Sequence, residues 1–137
     1  MAKIDAAKTW SLNYRLLTSV IQSVGPALER LGLDEVKDLF LLAELDEHPH
    51  PADLAAALLM PKPTVSLAIR RLEAAKYVRR EIDQADLRRH RLTLTPAGRR
   101  VATRGLAELS AAFGARLERL TGAEQAELRR LLERMAE

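Results

Sequence analysis

At 137 residues, 47% of them hydrophobic, the chain has the length of one domain and the apolar content to bury a core, which argues against two independent units. It holds no cysteine, which excludes disulfides, thiolate metal sites and thiol redox sensing and makes the cytoplasm the expected compartment. Its net charge of +3 is unevenly spread: residues 61–104 carry twelve Lys or Arg against four acidic residues, a local +8 that leaves −5 for the remainder. That split suits a polyanion-binding segment on a neutral-to-acidic scaffold.

The first ten residues lack an apolar signal core, and no run approaches the ~20 apolar residues that span a bilayer, so a soluble protein without a membrane partner is expected. Over residues 6–31, Trp10, Leu12, Leu16, Leu17, Val20, Ile21, Val24, Leu28 and Leu31 recur at helical spacing. This predicts a long amphipathic helix that Gly25-Pro26 should bend or interrupt. Gly32 is its expected stop, and Asp34 the expected cap of a second helix that buries Val36, Leu39, Phe40, Ala43 and Leu45 and ends near Asp46.

His48-Pro49-His50-Pro51 cannot be helical, and Pro51 opens a short helix that runs to about Leu58. After a turn at Leu59-Met60, Pro63 is the expected first residue of a second short helix, because Lys62 precedes a proline. Val65, Ala68, Ile69, Leu72 and Lys76 fall on its inner side; Pro63, Thr64, Ser66, Leu67, Arg70 and Arg71 fall on its outer side. Hydroxyls at the N-terminal end and cations further along are what a helix entering a major groove carries, and the two short helices form a helix-turn-helix pair.

The period then becomes alternating, with Val78, Arg80 and Ile82 on one face of a first strand and Leu92 and Leu94 on one face of a second. Arg80 interrupts the apolar set, so the inner face should be wet at one end. The connection, residues 83–90, carries Arg88 and Arg89 near its tip, where they can reach a phosphate or a minor groove. Thr95-Pro96 caps a further helix with the stripe Val101, Leu106, Leu109, Phe113, Leu117 and Leu120. Thr121 to Glu124 is a capping box that opens a last helix with Leu128, Leu131, Leu132 and Met135.

The expected fold is therefore mainly α with a small antiparallel β-ribbon: a winged helix-turn-helix over residues 34–98, flanked by helical dimerisation regions at 6–31 and 99–137. Three long apolar helices outside so small a head call for a partner, and a second copy of the chain fits best. A metal at His48, His50 and Asp53 is not expected, since the trio spans two prolines and a helix start and reads as a turn with imidazoles in water. Neither a glycine-rich phosphate loop nor a nucleophile with a base partner appears, so neither a cofactor nor catalysis is expected.

Asp53-Leu54-Ala55, Thr64-Val65-Ser66, Arg71-Leu72-Glu73, Tyr77-Val78 with Arg80, Asp86-x-Arg88 and Leu94-Thr95-Pro96-x-Gly98 together resemble the MarR family of bacterial transcriptional regulators over nearly the whole chain. The resemblance implies a homodimeric, ligand-responsive repressor whose second reading helix enters the major groove while a wing arginine enters the minor groove. Carried over, it implies that Lys62, Thr64, Ser66, Leu67 and Arg70 meet base edges or phosphates, that Arg88 enters the minor groove steadied by Asp86, and that Arg89 and His90 add phosphate contacts. It also implies a small aromatic effector near Trp10, Tyr14 and Arg15, although core or dimer-interface packing is the favoured reading of Trp10 and Tyr14.

Some positions depart from the family pattern. Leu59 stands at a usual turn glycine, Pro61 and Pro63 at usual serines, and Lys76 at a usual glycine, where a left-handed conformation would cost on the order of 1 kcal/mol. Leu67 replaces a polar or basic base-contacting residue and Leu87 the first of two wing arginines. Leu67 suits a thymine methyl, an altered specificity or weakened binding alike, so a winged-helix protein-interaction module is the competing expectation.

Overall fold

A computed structural model describes residues 3–137. Within them the chain runs α1 (Ala6–Arg30), α2 (Val36–Glu44), α3 (Pro51–Ala57), α4 (Lys62–Ala74), β1 (Val78–Ile82), β2 (His90–Leu94), α5 (Pro96–Leu117) and α6 (Gly122–Ala136). The strands pair antiparallel, with Val78 opposite Leu94 and Ile82 opposite His90. The expected mainly helical winged helix-turn-helix with its ribbon is the observed fold. No single helix among the described residues is long and apolar enough to cross a membrane.

The core gathers under α2: Leu39, Leu41, Leu42 and Leu45 are fully buried together with Leu54 of α3, while Ile69, Leu72 and Leu92 close it from α4 and the ribbon. α2 is thus buried on more sides than its predicted stripe, since Leu41 and Leu42 had been given no inner place and Phe40 is only half-buried. Val24 and Leu28 of α1 and Val101 and Ala102 of α5 seal the remaining side. Gly105 permits the α2–α5 approach, because a Cβ there would stand 2.5 Å from Leu39 Cδ1.

Three helices end in the same hydrogen-bonded turn, in which the residue after the cap is left-handed and the next amide reaches back five residues. Gly32 (φ 78°) ends α1, with Leu33 N–H donating to Leu28 O at 3.0 Å. Leu59 (φ 54°) ends α3 with Met60 N–H on Ala55 O at 3.0 Å, and Lys76 (φ 64°) ends α4 with Tyr77 N–H on Leu72 O at 2.9 Å. Leu59 and Lys76 adopt a conformation that side chains with a Cβ resist. Lys76, expected on the inner side of α4, lies beyond the helix and is exposed.

Tyr77 joins these ends. Its hydroxyl donates to Leu31 O at 2.7 Å, and its carbonyl accepts from Thr95 N–H at 3.0 Å. A Cβ on Gly98 would come within 2.0 Å of that carbonyl, so the glycine of the Leu94-Thr95-Pro96-x-Gly98 sequence is fixed by backbone contact.

Several local expectations are corrected. α1 runs on through Gly25-Pro26, so of the bend or interruption expected there the interruption does not occur. The carbonyl that loses its helical donor belongs to exposed Gln22, where water can satisfy it. Asp34 does not cap α2; Glu35 occupies the cap with no side-chain hydrogen bond. α4 starts at Lys62 rather than Pro63, because Val65 N–H finds Pro61 O at 3.2 Å and closes the first turn one residue early. The caps at Thr95 and Thr121 form as predicted, the latter as a full capping box with Glu124.

Candidate nucleic-acid interface

α3 and α4 are bent by 115° about their short connection, within the range of helix-turn-helix pairs. Val65, Ala68, Ile69 and Leu72 are at most 2% exposed, which fixes the rotation of α4. Lys62, Ser66, Leu67 and Arg70 are consequently exposed, and Thr64 is half-buried.

Arg71 leaves this outer set. Its guanidinium grips the carboxylate of Asp38 with two hydrogen bonds, Nη2 to Oδ1 at 2.8 Å and Nε to Oδ2 at 3.3 Å. Asp38 is 1% exposed. The bond to Asp38 raises the Arg71 pKa, and this two-point contact ties α4 to α2.

On the ribbon, Val78 and Leu92 are buried but Arg80 and Ile82 are exposed, as the wet end predicted. Arg80 returns to α4, its Nη2 donating to Glu73 Oε1 at 2.7 Å. At the tip, Asp86 Oδ1 accepts from Arg88 N–H at 3.1 Å and Arg88 Nε at 3.2 Å, while the Arg88 side chain stays 91% exposed. The bond to Arg88 holds the Asp86 carboxyl below its usual range. A short acid thus fixes the root of a long cation whose end is free, the orienting arrangement expected of the pair.

Arg89 is engaged differently from Arg88. It donates from Nη2 to Asp53 Oδ2 at 2.7 Å and keeps the Asp53 carboxyl ionised below its usual range. Beside it the His50 ring meets Asp83 Oδ2 through Nε2 at 2.5 Å and lies 3.6 Å from Asp53 Oδ2 through Nδ1. Asp83, lowered first by His50 and then by the Ala85 amide, is buried. His50 is therefore not an imidazole in water, its side chain being 16% exposed; His48 groups instead with Glu44 and Glu47. With Leu92 N–H donating to Pro49 O at 2.7 Å, these contacts clip the base of the wing to the start of α3. Sequence reasoning missed the clip: Asp53 signals only an acid near free helix amides, and its partner lies 36 residues away.

A second feature lies among α1, α2, α5 and α6. An apolar cavity of about 490 Å³ is lined by Leu16, Leu17, Phe40, Leu106, Phe113 and Leu132 and edged by Asn13 and Ser110. Trp10, Tyr14 and Arg15 do not line it; all three are exposed on α1, with Trp10 one turn before Asn13. No residue of α6 is buried in the single chain.

Comparison with known proteins accords with this geometry. The sequence model of the MarR family matches residues 31–89. The HTH-type transcriptional repressor Rv2887 of Mycobacterium tuberculosis is 32% identical over 137 residues, covering 98% of each chain. The solved structure of the Mycobacterium tuberculosis MarR family protein Rv2887 with p-aminosalicylic acid superposes with a TM-score of 0.73 at 31% identity, over 93% of this chain and 97% of that one. Its complex with DNA gives 0.76 at 28% identity, over 98% and 100%. On this likeness along nearly its whole length, the chain belongs to the MarR family.

Proposed function

We propose that the chain is a homodimeric, ligand-responsive repressor of transcription that binds double-stranded DNA and works in the cytoplasm without catalysis. The observation that carries this reading is the pairing of an exposed hydroxyl-and-cation face on α4 with a free Arg88 whose root is fixed by Asp86. Lys62, Thr64, Ser66, Leu67 and Arg70 then serve the major groove, and Arg88 serves the minor groove. Arg89, drawn back to Asp53, contributes chiefly by fixing the wing. That the related Rv2887 protein has been solved in complex with DNA supports the DNA-binding part of this reading.

The dimer is supported by what a lone chain leaves uncovered. No residue of α6 is fully buried, and Leu132, Met135, Trp10, Leu12 and Leu17 are 48, 81, 67, 52 and 54% exposed. A helix of its 15 residues is marginal in water unless packed, so residues 6–31 and 99–137 form the interface with a second copy. Sedimentation equilibrium should give twice 15.3 kDa. The cavity of about 490 Å³ is of a size to take the ring of a small aromatic acid, with Asn13 and Ser110 at its edge, and the relative solved with p-aminosalicylic and salicylic acids binds that class. Trp10, Tyr14 and Arg15 would meet that ligand only from a partner chain or at the cavity rim.

Titration against random duplex DNA at two salt concentrations tests the reading, with a steep negative salt slope expected. Arg88→Ala should weaken binding about tenfold or more at unchanged melting temperature. Exposed Leu67 and Leu87 favour a protein-interaction module as the second reading, for which negligible binding at both salts is the expected result.

A further inference from the structure

Beyond Pro63 at the helix start, Leu67 is the one side chain on the outer side of α4 that offers no hydrogen-bonding group. It is 55% exposed and is not one of the buried residues that form the core. It cannot turn inward, because Val65, Ala68, Ile69 and Leu72 are locked on the opposite side at 1, 1, 1 and 2% exposure. Its neighbours on the same side, Ser66 and Arg70, are exposed polar groups.

A single exposed leucine is ordinary on a protein surface, so exposure decides nothing alone. The chemistry of the groove decides. In the major groove every base edge is a pattern of donors and acceptors except at one apolar point, the C5 methyl of thymine. Against guanine, adenine or cytosine edges a leucine displaces water from polar groups and returns no hydrogen bond. Against thymine it gains a methyl contact, and the penalty elsewhere excludes the other bases.

Resting on the DNA-binding reading above, we propose that Leu67 is a specificity-determining residue that reads a thymine methyl, one in each half-site of the operator. The departure from a polar base-contacting residue is then a change of specificity rather than a loss of binding. Ser66 and Arg70 flank the contact and supply the polar and phosphate interactions that a leucine cannot.

The test is to enrich duplexes from a random library with the full chain, then to replace each thymine of the enriched site singly by deoxyuridine, which lacks only the methyl. Affinities are measured at one salt concentration for the natural chain and for Leu67→Ala, whose melting temperature checks folding. One position per half-site should lose about fourfold on replacement, and both together about tenfold or more, in the natural chain. In Leu67→Ala the two duplexes should bind alike. An enriched site whose affinity no deoxyuridine changes, or one whose loss persists in Leu67→Ala, overturns this assignment and leaves DNA binding standing. Failure to enrich any duplex overturns DNA binding, and the assignment with it.

Discussion

Replacing Leu59 and Lys76 by glycine should make the protein more stable, although each substitution deletes a side chain. Both residues are left-handed, at φ 54° and 64°, and both are exposed, Leu59 at 94%, so little burial is lost with the side chain. A left-handed residue with a Cβ costs about 1–2 kcal/mol, whereas glycine enters that region freely. Against this, glycine broadens the unfolded ensemble by about 0.4–1 kcal/mol. The net gain is about 0.5–1 kcal/mol per site and about 1–2 kcal/mol for the pair, since the sites end different helices. At this chain length that is a rise of about 3–6 °C in melting temperature. Thermal and urea unfolding at one protein concentration measure it, with the urea midpoint moving at constant slope. Lys76→Ala is the control, because it removes the same charge and keeps the Cβ. A gain from Lys76→Ala equal to that from Lys76→Gly, or no gain from either glycine, would refute the strain argument. Gly32→Ala is the converse case: it places a Cβ at φ 78° and 2.7 Å from Tyr77 Oη, and should lower the melting temperature.

Arg71→Ala strands the carboxylate of Asp38 at 1% exposure and should cost about 2–4 kcal/mol in urea unfolding, the lower part of the usual range because the Arg71 side chain is one-third exposed; a loss under about 1 kcal/mol would refute the pairing. Asp53, Asp83 and Asp86 all have folded pKa values depressed, first by Arg89, His50 and Arg88 respectively. Their stabilisation is complete above the unfolded carboxylate value of about 4 and is lost as the pH falls through the folded values, so melting temperature should drop below about pH 4 and drop less in Asp83→Asn; superimposable profiles would contradict the clip. Phe40→Ala enlarges the cavity without altering α4 or the wing. It should diminish the effect of an aromatic acid on DNA affinity and leave ligand-free affinity within about twofold, and an undiminished effect would remove the cavity from regulation.

What could be read in the sequence was what neighbours within a few residues decide. Pro51, Thr95-Pro96 and the Thr121–Glu124 box announced their helices because capping is a local exchange between a side chain and the nearest free amides. Gly32 announced a left-handed stop, whereas Leu59 and Lys76 perform the same turn with residues that signal nothing of the kind. The starts of α2 and α4 shifted by a residue because a backbone carbonyl, that of Glu35 for Asp38 N–H and that of Pro61 for Val65 N–H, closed the first turn. Arg71, Arg89 and His50 were read as outward-facing or solvated. Their partners Asp38, Asp53 and Asp83 lie 33, 36 and 33 residues away and are brought near only by the packing of helices and ribbon. The bases of the candidate site were therefore hidden, while its free ends, Ser66, Leu67, Arg70 and Arg88, were legible as exposed positions.

The same division has a mechanical consequence. At the tip of the wing the Arg88 side chain is held locally, by Asp86, while the base of the wing is clipped to α3 through Arg89 and His50. The reading helix is fixed remotely, through Asp38 on α2, and α2 also presents Phe40 to the cavity. Asp38 and Phe40 stand two residues apart on a helix whose Leu39, Leu41 and Leu42 are fully buried, and a close-packed helix moves as a unit rather than by yielding at one side chain. On the regulatory function proposed above, a ligand in the cavity would alter DNA affinity only by the difference in its affinity for two placements of α2, and the Arg71–Asp38 pair is the contact through which such a placement would reach α4. Regulation by that route would require the Arg71–Asp38 pair to stay intact in both placements. A bond that served only stability could be replaced by apolar packing, but one that carries motion from cavity to reading helix cannot.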